Sequence, residues 1–183
     1  MYFLHKITQY ILPYADILAW CIMPNHFHLM VYVNSIDGVA QTIDGATQSH
    51  PVNIGNIITF NSSIGIMLRS YTRAINKQEK RSGALFREET KAICLDEISG
   101  VAPNWFASAG VTYFNIQLPE KAYPIACFNY IHQNPVNAGL VDAPGEWEFS
   151  SYADSIGLRN GKLINHARIK EFGLNEVTGD TKY

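Results

Sequence analysis

"CIMPNHFHLMVYV", residues 21–33, joins two apolar runs through a Pro-Asn break, and the second run opens with two histidines one residue apart. Successive side chains of a strand point to opposite faces. A strand over 26–33 therefore puts His26, His28, Met30 and Tyr32 on one face, and Phe27, Leu29, Val31 and Val33 on the other, which is the expected core face. The first face brings two imidazoles side by side, an arrangement suited to holding one metal ion through neutral ring nitrogens. A His-x-His pair alone is more often solvent-facing or hydrogen-bonded, so a further ligand must come from elsewhere in the chain.

Working outward, residues 17–23, "ILAWCIM", read as the antiparallel partner across the break. Residues 2–13 carry Phe3, Leu4, Ile7, Ile11 and Leu12 at helical spacing and end at Pro13. The Gly-, Ser- and Asn-rich stretch near 34–56 reads as a long, mobile or functional loop. Ser62 or Ser63 caps a helix that runs to Gly83 with Ile66, Leu68 and Ile75 inward. Strands are expected near 87–95 and in "VTYFNIQL" within the ambiguous region 96–120, then a helix from 121 to 133 stopped by Pro135 and a turn at Gly139. An aromatic and basic extension begins at about 142.

The 183 residues, 47% hydrophobic, fit a single domain over 1–183 with a substantial core. No apolar run approaches the ~18–20 residues of a membrane span, and the start lacks a signal-peptide layout, so no membrane partner and a cytoplasmic location are expected. Cys21, Cys94 and Cys127 are too scattered for a zinc knuckle or a disulfide framework, and read as small buried residues. Net charge is −2, yet seven of the fourteen Lys and Arg residues lie between Arg69 and Lys91, against three glutamates. Arg69, Arg73, Lys77 and Arg81 recur every fourth residue, which on a helix makes one stripe: a solvated face or a phosphate-tracking surface.

"NYIHQNP" supplies what the histidines lack. Tyr130 and Asn134 share a helical face, whereas His132 points roughly 160° away from Tyr130. The Asn134 side-chain oxygen would complete a His, His, Asn set with positions left for phosphate oxygens and water. Each residue also has an ordinary reading, Tyr130 as half-buried packing and Asn134 as a polar residue at a helix end.

At these residues the chain resembles the single-tyrosine HUH transposases, and within them the REP-associated tyrosine transposase branch. "CIMPNHFHLMV", "LRSYTRAINKQEKRSGALFREETKA", "YIHQNPVNAGLV" and "EWEFSSY" are similar, in order, to that family's histidine segment, helix-and-strand block, tyrosine helix and trailing Trp and Ser-Ser-Tyr element. The resemblance implies an α+β, ferredoxin-like antiparallel sheet with helices on one face. Here a helix stands almost at Met1, where that family has a strand, so the first strand is read as lacking or replaced. It implies His26, His28 and Asn134 as ligands of Mg²⁺ or Mn²⁺, and Tyr130 as the nucleophile of metal-dependent cleavage and strand transfer on single-stranded, hairpin-containing DNA through a 5′-phosphotyrosine. A phenol ordinarily titrates near ~10, so its attack needs a polarised phosphate and nearby positive charge.

Arg69, Arg73, Lys77, Arg81, Arg87 and Lys91 then become candidate DNA contacts. Tyr71, Phe86 and Trp105 become candidate stacking partners for unpaired bases or, equally, core residues. Two other readings stand beside this one: a domesticated, inactive protein that binds DNA hairpins without cutting, and a metal-dependent hydrolase unrelated to DNA. Whether the chain works as a monomer or a homodimer stays open.

Overall fold

The computed structural model describes residues 2–36, 39–40, 57–86, 95, 105–108, 111–114 and 119–175. In chain order the elements are α1 (Tyr2–Tyr10), β1 (Ala15–Ile22), β2 (Phe27–Val33), β3 (Val39–Ala40), β4 (Ile57–Ile58), α2 (Phe60–Gln78), β5 (Trp105–Ser108), β6 (Val111–Phe114), α3 (Pro119–Asn137), a 3-10 turn at Pro144–Glu146, α4 (Tyr152–Ser155) and α5 (His166–Glu171). The strands pair as β1 with β2, β3 with β4 and β5 with β6. The fold is α+β, consistent with a partial ferredoxin-like sheet carrying helices, and no strand precedes α1 among the described residues. The contacts group into two compact units, Met1–Asp16 with Tyr32–Lys91 and Ile17–Val31 with Ala92–Tyr183.

In the first unit, Phe3 and Ile7 form the buried stripe of α1, continued by Ile11. Fully burying such side chains stabilises by about 1.5–3 kcal/mol each. The cap of α2 is Thr59, whose hydroxyl accepts from Ser62 N at 3.3 Å, rather than Ser62 or Ser63. Ser63 lies inside the helix, fully buried, and donates to the Tyr10 carbonyl at 2.8 Å. It thereby satisfies one of the acceptors that the end of α1 leaves open. Met67 is the buried apolar residue of α2, while Ile66, Leu68 and Ile75 are half-buried. Tyr14, wholly buried, donates to Ile58 O at 2.6 Å and stacks on Phe60.

The second unit is organised around β1, whose residues 17–21 are all buried. β2 returns along one edge after the four-residue turn closed by Met23 N–H to His26 O at 2.8 Å, a connection short enough only for an antiparallel hairpin. The chain's C-terminal part covers the other edge. Ile22 N bonds Phe149 O, Ser151 N bonds Trp20 O and Asn165 N bonds Ile17 O, at 2.8, 2.9 and 2.8 Å. The Trp147 indole adds a bond to Ile22 O at 3.0 Å. The segment read as an extension from about 142 is therefore part of the sheet edge in this unit.

Several expectations are corrected. In β2 the one buried residue is Met30, on the histidine face, whereas Phe27, Leu29 and Val31 are half-buried and Val33 is exposed. α3 meets β2 on this face, through Asn134 and Tyr130 at His28. Pro135 does not stop α3, which runs on to Asn137. A proline inside a helix loses its own N–H bond and crowds the carbonyl four residues back, and this one is fully buried, so packing offsets that cost. The helix ends one turn later: Leu140 N bonds Pro135 O and Gly139 N bonds Val136 O, both at 2.9 Å, with Gly139 at φ +66. α2 likewise stops at Gln78, short of Gly83. Val111–Phe114 forms the expected strand, paired antiparallel with Trp105–Ser108. The strand expected near 87–95 lies outside the described residues except for Leu95, as does most of the loop 34–56. Cys21 is buried, which pushes its thiol up to about 11; Cys127 is half-buried and Cys94 lies outside the described residues.

Candidate functional site

His26, His28, Tyr130 and Asn134 come together in the second unit across more than a hundred residues of sequence. The His26 and His28 rings meet edge to face with centroids 4.9 Å apart, and the Tyr130 ring lies edge-on to His28 at 5.5 Å. The Asn134 amide nitrogen is 3.0 Å from His28 Nε2. Asn134 is 8% exposed and Tyr130 is 41% exposed, so the amide is held inside while the tyrosine is reachable from solvent. An unpartnered buried amide costs about 1–3 kcal/mol, which its bond to His28 removes.

Among the described residues no third His, Cys, Asp or Glu joins the histidine pair. The third polar group is the Asn134 amide. As placed, its Nδ2 donates to His28 Nε2; a half-turn puts the side-chain oxygen at the same point. Two ligands each about 2.1 Å from an ion and at right angles to one another are about 3 Å apart. The 3.0 Å spacing of His28 Nε2 and the amide is that of two adjacent ligands of one divalent ion, with the His26 ring beside them.

Both imidazoles are prepared for such a role. His26 Nδ1 lies 2.6 Å from Asn25 Oδ1; with the amide oxygen as acceptor and the ring neutral, Nδ1 carries the proton and Nε2 presents a lone pair. Burial, and then the neighbouring His26, push the His28 pKa down, which favours its neutral form.

The rotation of α3 that aims Tyr130 and Asn134 at the histidine strand is set on its opposite side. His132, 3% exposed, has Nε2 2.8 Å from Ser151 Oγ. That hydroxyl accepts from Trp20 N at 2.9 Å and donates to Trp20 O at 3.2 Å, tying α3 to β1. Phe128 and Tyr152 pack edge-on to the imidazole at 4.6 and 5.7 Å. Burial lowers its pKa to about 4, against a smaller opposing effect of Asp154. Asp154, itself buried, is held by Arg159 through Nε at 2.7 Å and a second guanidinium nitrogen at 2.8 Å, and by Gly161 N at 3.0 Å. Sequence reading missed this supporting set; the one signal was the predicted divergence of His132 from Tyr130.

In the first unit, Arg69, Arg73, Lys77 and Arg81 are all exposed; the first three lie on α2 as spaced, whereas Arg81 lies past the helix end at Gln78, where the chain reverses, and does not continue the stripe. Arg87 and Lys91 lie outside the described residues. Tyr71 and Phe86 are half-buried, their rings 6.1 Å apart, with Phe3 at 4.7 Å from Tyr71. No side-chain position is described for Trp105. No helix among the described residues is long and apolar enough to cross a membrane.

No protein-family model, curated protein or solved structure matches the chain.

Proposed function

We propose that this chain is a metal-dependent, transposase-like enzyme that cleaves and rejoins single-stranded DNA next to hairpins through a 5′-phosphotyrosine on Tyr130. The observation that carries the reading is the meeting of two imidazoles, a buried amide and a half-exposed phenol at one place. His26, His28 and Asn134 would hold Mg²⁺ or Mn²⁺, which when bound would offset the negative charge of a scissile phosphate. Tyr130 Oη attacks phosphorus, the bond to the 3′ oxygen breaks, and that oxygen leaves as a hydroxyl after taking up a proton. The reverse attack by a 3′ hydroxyl reseals a strand and frees Tyr130. The phosphotyrosine keeps the energy of the broken phosphodiester, so no nucleotide hydrolysis is required.

The exposure of Tyr130 supports a macromolecular substrate, and the exposed cationic stripe supports a polyanionic one. The test is incubation with labelled hairpin-flanked single strands and Mn²⁺, followed by denaturing electrophoresis. A protein-linked label that disappears in Tyr130→Phe is the expected result. Hairpin binding without any adduct in the wild type would instead favour a domesticated protein that binds but does not cut.

A further inference from the structure

α2 and the segment after it enclose a groove whose occupant the strand-transfer reading does not name. The helix breaks after Gln78, Lys80 adopts φ +49, and Arg81 N–H closes on Asn76 O at 2.9 Å. A lysine in the left-handed region is uncommon; here it lets the chain reverse. The Asn76 side chain then staples the returning segment, its Nδ2 donating to Gly83 O at 2.8 Å and its Oδ1 accepting from Arg81 Nε at 3.2 Å. Residues 83–86 are thereby held beside α2, and a groove of about 390 Å³ lies between them.

Leu68, Leu85 and Phe86 give this groove an apolar wall, and Arg69 and Arg73, one turn apart, line it as well and bring positive charge to it. No carboxylate lines it, and neither arginine forms an ion pair with a described residue. The Arg69 guanidinium lies back along the helix over Gly65, where a Cβ would stand 3.1 Å from it. The remaining polar groups are already engaged, Thr72 with Leu68 O at 2.8 Å and Asn76 with the staple. The groove therefore offers an apolar surface and positive charge, with few free hydrogen-bonding groups to read the edge of a base.

We propose that this groove takes one unpaired nucleotide of single-stranded DNA, its base against the apolar wall and its flanking phosphates on Arg69 and Arg73. The proposal rests on the strand-transfer reading for the identity of the polymer. Its volume falls in the range of ordinary small-ligand sites, roughly 300–1,000 Å³. Base stacking on aromatic rings and guanidinium planes tolerates any base, so the groove senses the presence of a base and discriminates little between bases.

The experiment is fluorescence anisotropy with a labelled oligothymidine strand and the same strand carrying abasic residues, on the full chain at several salt concentrations. Wild type should bind the strand with bases about tenfold more tightly, as expected for one stacked base. Arg69→Ala with Arg73→Ala should reduce that ratio to below about twofold. Lys77→Gln with Lys80→Gly removes the same charge from outside the groove; it should keep the ratio while lowering overall affinity and salt slope. Arg81 is kept because it holds Asn76. Phe86→Leu, which preserves an apolar wall without the ring, should also lower the ratio. Equal ratios in the two double variants would overturn the groove. Adduct formation on hairpin DNA, measured on the same preparations, separates this failure from that of the strand-transfer reading: an adduct with unchanged ratios rejects only the groove, and ratios that follow the arginines without an adduct reject only the chemistry.

Discussion

His132 makes the stability of the second unit depend on pH. Its imidazole is buried, and that burial lowers its pKa from 6.5 to about 4. For a base whose folded pKa is depressed, the unfolded chain takes up the proton first, so stability is fully present above the unfolded pKa and is lost as pH falls from 6.5 toward 4. At pH 5 the loss is about 1.5 pKa units at 1.36 kcal/mol each, roughly 2 kcal/mol. That is a sizeable part of a typical domain's ~5–15 kcal/mol. His28 is shifted in the same direction, so the informative quantity is the difference between wild type and His132→Gln, in which the His28 contribution cancels. Glutamine retains a group that can bond Ser151 and does not titrate. Urea unfolding followed by far-ultraviolet circular dichroism at pH 7.5 and 5 is the assay. With a urea dependence of about 2 kcal/mol per molar, the wild-type midpoint should fall by about 1 M more than that of the variant. Equal falls would refute the assignment of a buried, neutral His132 as the tie between α3 and β1.

Three further outcomes are expected. Gly161→Ala places a Cβ 2.5–2.6 Å from the Asp154 carboxylate, which must leave Arg159 or shift the backbone; a loss of about 1–3 kcal/mol in thermal unfolding is expected, and an unchanged midpoint would show that the carboxylate moves freely. Asn25→Ala removes the acceptor that fixes the His26 tautomer, so ¹⁵N shifts of the His26 ring should move toward a tautomer mixture and Mn²⁺ affinity should fall about tenfold, while Asn25→Asp retains both; identical spectra in the alanine variant would dismiss the role. Calorimetric Mn²⁺ titration should lose binding in His26→Ala with His28→Ala and show a smaller loss in Asn134→Ala, where water can replace a neutral oxygen ligand; undiminished binding in the double variant would remove the metal site.

The sequence alone determined what depends on neighbours along the chain. Period-two alternation after Pro24 and Asn25 gave the hairpin, and helical spacing put Tyr130 and Asn134 on one face with His132 turned away. Arg69, Arg73 and Lys77 came out exposed along α2, as their spacing requires, while Arg81 fell past the helix end and turned back onto Asn76. Tertiary structure decided everything that depends on partners distant in sequence. Met30 rather than Phe27 or Leu29 became the buried residue of β2, on the face where Asn134 of α3 meets His28, a contact between residues 106 positions apart. Pro135 stayed inside α3 because burial of its ring offsets the missing bond and the crowded carbonyl one turn back, a balance no local rule contains. Ser63, a plausible cap by type, was drawn inside α2 by the Tyr10 carbonyl 53 residues earlier. The His132–Ser151–Trp20 tie joins residues 131 positions apart. Its parts are common polar and aromatic residues with no distinctive local pattern, and only the folded chain could bring them together to aim Tyr130 and Asn134 at the histidine strand.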